Sequence, residues 1–192
     1  MPDTAHSASS ADGTGSADAA RRCLLLQGAA AAAALVPWSA SASGTGLQPW
    51  RPATAPVLDA TDLATGQRRT LADFAGQPLL VNFWASWCGP CRVEMPGLGV
   101  LARRLAPQGL RLVAVNHGEM PERVRLFLRE VPLPATVLLD RSQRLLKAWG
   151  GSGALPATFV LDARGQPRAW AQGERDWDGP ALAEQVRAAI EG

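Results

Sequence analysis

Cysteine occurs only three times in this chain, at positions 23, 88 and 91, too few for a framework of structural disulfides. Histidine occurs twice, as His6 and His117. A closed zinc site wants four ligands, and Cys88, Cys91 and His117 fall short of that set. Lysine is nearly missing: of 19 basic side chains only Lys147 is a lysine, which reads as a bias of composition. The net charge of +2 offers no excess that would suit nucleic acid or another polyanion. Long apolar runs are missing too. The best stretch, Cys23 to Val36, has 14 residues, short of the roughly 20 that span a bilayer, and Pro37, Ser39 and Ser41 interrupt any extension.

What is present is 192 residues, 47% of them hydrophobic, enough for one ordinary core, so a single domain with extensions is expected. Met1 to Asp18 is rich in Ser, Ala, Gly and Asp and reads as disordered. Then Arg21-Arg22 precedes Cys23-Leu24-Leu25-Leu26 and an Ala-rich run, and Ala40-Ser41-Ala42 offers a small-residue cleavage site. This pattern resembles a twin-arginine export signal, with cleavage expected after Ala42. An uncleaved membrane anchor is the alternative. A lipoprotein signal fits less well, because Cys23 precedes the apolar run instead of ending it. Residues 43–56, with Gly44, Gly46, Pro49, Pro52 and Pro56, read as a linker. The expected division is a signal over 1–42, a linker over 43–56 and a folded domain over 57–192.

The domain is organised around Val81-Asn82-Phe83-Trp84-Ala85-Ser86-Trp87-Cys88-Gly89-Pro90-Cys91. The apolar run Leu79 to Ala85 reads as a buried strand, followed by a Cys-x-x-Cys pair and helix-compatible sequence. That order places Cys88 at a helix N-terminus. Free N–H groups of the first turn and the positive end of the helix dipole both favour a thiolate there, and the thiolate is the species that attacks a disulfide. Cys91, one turn on, is placed to close an internal disulfide. Gly89 permits a tight turn and Pro90 suits a first-turn position where no N–H is needed.

Around this centre the pattern predicts a hairpin from Val57–Ala60 and Arg69–Leu71 about a turn at Thr65-Gly66-Gln67, then one helical turn over Leu71–Ala75. A helix from Cys91 to about Ala106 is expected to turn Val93, Leu98, Leu101 and Leu105 inward and to kink at Pro96. A buried strand follows at Leu110–Val115, then a helix opened by Pro121 with Val124, Phe127, Leu128 and Val131 on one face. A short strand at Thr136–Leu139 and a short helix at Leu145–Trp149 come next. A second hairpin joins Ala157–Leu161 to Pro167–Gln172 across Asp162-Ala163-Arg164-Gly165. The last helix has Asp178 as its N-cap candidate and Leu182, Val186 and Ile190 at four-residue steps.

With these residues in view, the chain resembles the thioredoxin superfamily, and within it the TlpA-like reductases. The likeness rests on Phe83 to Cys91, Pro96, Leu155-Pro156-Ala157-Thr158-Phe159 and Asp162 to Gly165, and it runs from about Ala55 to Gly192. The resemblance implies an α/β fold, a central mixed sheet flanked by helices, with an N-terminal β-hairpin extension. It also implies that Pro156 is a cis-proline facing the active site and that Leu155 offers its backbone to substrate. Sequence alone says only that Leu155-Pro156 is an extended or turn dipeptide. Thioredoxin carries a buried aspartate at the position of Asn82, and an asparagine cannot replace it as a proton acceptor. Glu94 matches a glutamate that the TlpA-like group places beside the dithiol, so it is the proton-transfer candidate for Cys91.

The expected site therefore comprises Cys88, Cys91, Glu94 and Pro156 as catalytic groups, with Trp87, Gly89, Pro90 and Leu155 facing substrate. Trp84 is assigned to the core; Trp149, Trp170 and Trp177 have no assignment. The expected activity is reduction of a disulfide in a protein substrate through a mixed disulfide, with no cofactor. The resemblance adds a membrane thiol as electron donor, a periplasmic location and service to cytochrome c maturation or metal-centre assembly; a monomer is expected. One alternative is a Cu(I) chaperone using Cys88, Cys91 and His117. A peroxiredoxin-type peroxidase is the other, disfavoured because Ala85 stands where that motif wants Thr or Ser three residues before the cysteine.

Overall fold

The structure, a computed structural model, describes residues 46–54 and 56–192. The expected export signal, including Arg21, Arg22 and Cys23, lies outside them. Among the described residues no helix is long and apolar enough to cross a membrane.

Strand β4, Leu79–Trp84, is buried at every position, as expected of a strand covered on both faces. Alternation divides its side chains. Leu79, Val81 and Phe83 join a core with Phe159, Leu146 and Trp149, while Leu80 packs with Leu98 and Leu101 on the opposite side. Asn82 therefore shares the face of β4 that the first helix covers.

The remaining strands are β1 (Gln48–Pro49), β2 (Asp59–Asp62), β3 (Arg68–Thr70), β5 (Arg111–His117), β6 (Thr136–Asp140), β7 (Ala157–Leu161) and β8 (Pro167–Gln172). They form one sheet in the order β1-β8-β7-β4-β5-β6-β2-β3. The pairs β4–β5 and β5–β6 are parallel, and the other neighbours are antiparallel. The helices are α1 (Gly89–Leu105), α2 (Pro121–Glu130), α3 (Leu145–Ala148) and α4 (Pro180–Glu191). This is the mixed sheet flanked by helices that the resemblance implied, with the β2–β3 hairpin added at one edge.

Four expectations change. The stretch expected to be a linker is, from residue 46, partly built into the fold: Gln48 and Pro49 pair with Trp170 and Ala169, and Trp50 is buried. It stacks on Trp149 at 5.4 Å and tilts against Phe159 at 4.6 Å, so aromatic burial outweighs the flexibility that Gly and Pro suggest. The first hairpin starts two residues later than expected, because Asp62 accepts hydrogen bonds from Ala64 N at 2.8 Å and Thr65 N at 3.1 Å and so sets the turn. Val93 points outward, 64% exposed, whereas Glu94 and Met95 take the inner face of α1. Gly179, not Asp178, is the N-cap of α4. Helix α1 runs through Pro96 to Leu105 without ending.

Candidate active site

The β4 strand stops at Trp84, and Ala85-Ser86-Trp87 leads directly into α1. Cys88 is the N-cap of that helix, its backbone extended at φ −82° and ψ 107°, and Pro90 occupies the first turn. The two sulfurs are bonded to each other, and Cys91 N donates to Cys88 Sγ at 3.2 Å. Cys88 retains 5% exposure and Cys91 none. Trp87, Gly89 and Pro90 are exposed around Cys88, Trp87 at 65%. An incoming sulfur therefore meets Cys88 first, beside an apolar indole.

On the sheet side, the Leu155–Pro156 peptide is cis, as the resemblance implied. Pro156 is buried, and Leu155 packs against the cluster that holds Cys88 and Cys91. Strand β7 begins at the next residue and pairs Ala157 with Phe83. That register brings the Leu155-Pro156 turn to the end of β4 from which the cysteine loop leaves.

Glu94 is 3% exposed. Its Oε1 accepts from Asn82 Nδ2 at 2.9 Å, and its Oε2 accepts from Trp177 Nε1 at 2.9 Å and Arg175 N at 3.3 Å. Burial pushes the carboxyl up to about 7, against three hydrogen bonds that pull it down, and nearby Glu174 adds to the rise. A buried carboxyl so tuned exchanges protons near neutral pH. Asn82, which cannot accept the proton, instead orients the group that can; it also donates to Thr158 Oγ1 at 2.9 Å.

A second carboxylate ties down the cysteine loop. Glu119 Oε2 accepts from Ser86 N at 2.7 Å and from Asn116 Nδ2 at 2.7 Å, and its Oε1 accepts from Ser86 Oγ. Arg123 Nε donates to Ser86 Oγ at 3.2 Å. Glu119 and Trp177 have no short-range signal in the sequence: their hydrogen bonds to the site span 33 and 83 residues, and Asn116 joins the site through Glu119. His117 ends β5 with its Nδ1 buried and unpartnered. Among the described residues no group of three or more His, Cys, Asp or Glu could hold a metal ion.

The chain is 37% identical over 113 residues to the thiol-disulfide oxidoreductase ResA of Geobacillus thermodenitrificans strain NG80-2, covering 59% of this chain and 64% of that protein. It is 35% identical over 110 residues to ResA of Bacillus subtilis strain 168, covering 57% and 59%. It thus spans less than two thirds of those relatives. Among solved structures, a thiol:disulfide interchange protein of the thioredoxin family from Chlorobium tepidum TLS superposes with a TM-score of 0.59 at 27% identity, covering 72% of this chain and 97% of that one. Residues 53–169 match the AhpC/TSA family, and the chain, with its thioredoxin-like sheet and TlpA-like relatives, belongs to that family.

Proposed function

We propose that this protein is a thiol-disulfide oxidoreductase that reduces disulfides in partner proteins outside the cytoplasm. One observation carries the reading: Cys88, which retains 5% exposure, caps α1, the fully buried Cys91 lies one turn on, and the buried Glu94 follows three residues later. In the reduced protein, the Cys88 thiolate attacks a substrate disulfide. That S–S bond breaks, a mixed disulfide forms, and the displaced substrate thiolate takes up a proton from solvent. Glu94, as carboxylate, then accepts the Cys91 proton, and the Cys91 thiolate attacks Cys88 Sγ. The internal disulfide forms, the second substrate thiolate leaves, and two electrons have passed from the dithiol to the substrate. The ResA names of the relatives support this chemistry.

Gly89-Pro90 between the cysteines resembles the reducing members of the superfamily and sets the proposed direction. Export by the twin-arginine-type signal over 1–42 is part of the proposal, as is service to cytochrome c maturation or metal-centre assembly. A thiol donor in the membrane must then restore the dithiol. The deciding measurement is the reduction potential of Cys88–Cys91 in glutathione or dithiothreitol buffers. A value near about −270 mV, the range of thioredoxin, is expected; one near about −120 mV, the range of a disulfide-forming oxidant, reverses the proposed electron flow.

A further inference from the structure

Trp177 lies between β8 and α4, 83 residues beyond the carboxylate it donates to. It is 1% exposed. Its loop comes this close because α1 carries glycine at position 97, where an added Cβ would stand 3.3 Å from Asp178 N and 3.4 Å from Trp177 Cβ. The loop delivers two donors to one oxygen of Glu94, the Trp177 indole and the Arg175 backbone N–H. Neither can accept a hydrogen bond. A proton on Oε2 would face both.

The other oxygen has a different neighbour. Asn82 now offers Nδ2 to Glu94 Oε1 and to Thr158 Oγ1, while its Oδ1 is buried without a partner. Turning the amide over places that oxygen between Glu94 and Thr158, and a protonated Oε1 and the threonine hydroxyl can both donate to it. Asn82 can therefore serve either protonation state, whereas Trp177 serves only one.

We propose that Trp177 is a positioning residue that keeps Glu94 Oε2 an acceptor and confines the exchangeable proton to Oε1, so that the loop before α4 sets the pH range in which Cys91 resolves the mixed disulfide. The inference rests on the reading of Glu94 as proton acceptor. Among the described residues the other charged groups close to Glu94 are Glu174 and Arg175 on the loop, to which reduction of the disulfide adds the Cys91 thiol three residues earlier on α1; Arg175 Nη1 donates to Glu174 O at 2.8 Å. From β4 and β7 the facing side chains, Asn82 and Thr158, carry no charge.

The test follows the pH dependence of mixed-disulfide resolution in the full chain for wild type, Trp177→Phe, Glu94→Gln and the double variant. Loss of a hydrogen bond to a charged group should raise the Trp177→Phe midpoint by about one to two pH units. The double variant should match Glu94→Gln alone. A midpoint that Trp177→Phe leaves in place, or one that it moves equally in both backgrounds, overturns the proposal while leaving Glu94 in its role. A Glu94→Gln profile identical to wild type removes Glu94 from the mechanism and the proposal with it. Should Trp177→Phe not fold, the wild-type indole N–H resonance of Trp177 decides: it should titrate with a midpoint of about 7 and become insensitive to pH in Glu94→Gln. An indole resonance insensitive to pH in the wild type overturns the proposal.

Discussion

A carboxyl group held out of water favours its neutral form, and Glu94 shows the consequence for stability. In the unfolded chain it ionises near its ordinary 4.5, and in the fold burial lifts it to about 7. Below 4.5 both states are neutral, so the site costs nothing. As the pH rises toward 7 the unfolded state loses its proton first, and stability falls. The loss is complete above about 7. It amounts to roughly 3 kcal/mol, since each pH unit separating the folded from the unfolded midpoint is worth about 1.4 kcal/mol. Glu94→Gln, which cannot ionise and can donate to Asn82 Oδ1, should gain about that much on wild type between pH 4 and pH 8 in urea titrations of the oxidised protein; parallel curves would mean Glu94 is not desolvated as described. Cys88 and Cys91 were legible in the sequence because a Cys-x-x-Cys pair between a buried strand and a helix is a local signal; Glu94 was picked out by the family resemblance, three residues after Cys91. Asn82 was legible only as the wrong residue for a proton acceptor, because its role depends on which face of β4 looks toward α1.

The loop between β4 and α1 is a small element with a firm anchor. Three donors, from Ser86 N, Ser86 Oγ and Asn116 Nδ2, converge on Glu119, whose carboxyl side chain is 9% exposed. Glu119→Ala strands the Ser86 amide and should cost about 2 kcal/mol. Amide exchange at Ser86 should quicken relative to the β4 strand, which is the measurement that checks it; an unchanged Ser86 rate would mean the loop is held by other contacts. The same scale shows what periodicity resolves and what it does not. The second hairpin, Ala157–Leu161 and Pro167–Gln172, matches its expected bounds, because two short strand-like runs separated by a turn sequence are local signals. Val93 was placed on the wrong side of α1. A charged residue at the next position is ordinarily the exposed one, but here Glu94 finds three donors inside and Val93 faces solvent.

For the whole molecule, the unforeseen contribution is that of residues 46–54. Trp50 closes an aromatic group with Trp149, Phe83 and Phe159 on the face of the sheet away from α1. Trp50→Ala should cost about 3–5 kcal/mol, the range for truncating a buried aromatic side chain, and a chain starting at residue 57 should unfold at correspondingly lower urea. A loss below about 1 kcal/mol would mean that the strap contributes little to the core. By itself the sequence determined the dithiol, its helix, the alternation of strands and helices and hence the fold class, since each is written in neighbours a few residues apart. Only the tertiary structure decided that Trp177, Asn82 and Arg175 share one carboxyl group, that Glu119 anchors the cysteine loop, and that Trp50 belongs to the core. Those partners are separated by tens of residues, and sheet order and helix packing, not local sequence, bring them within hydrogen-bonding or van der Waals distance.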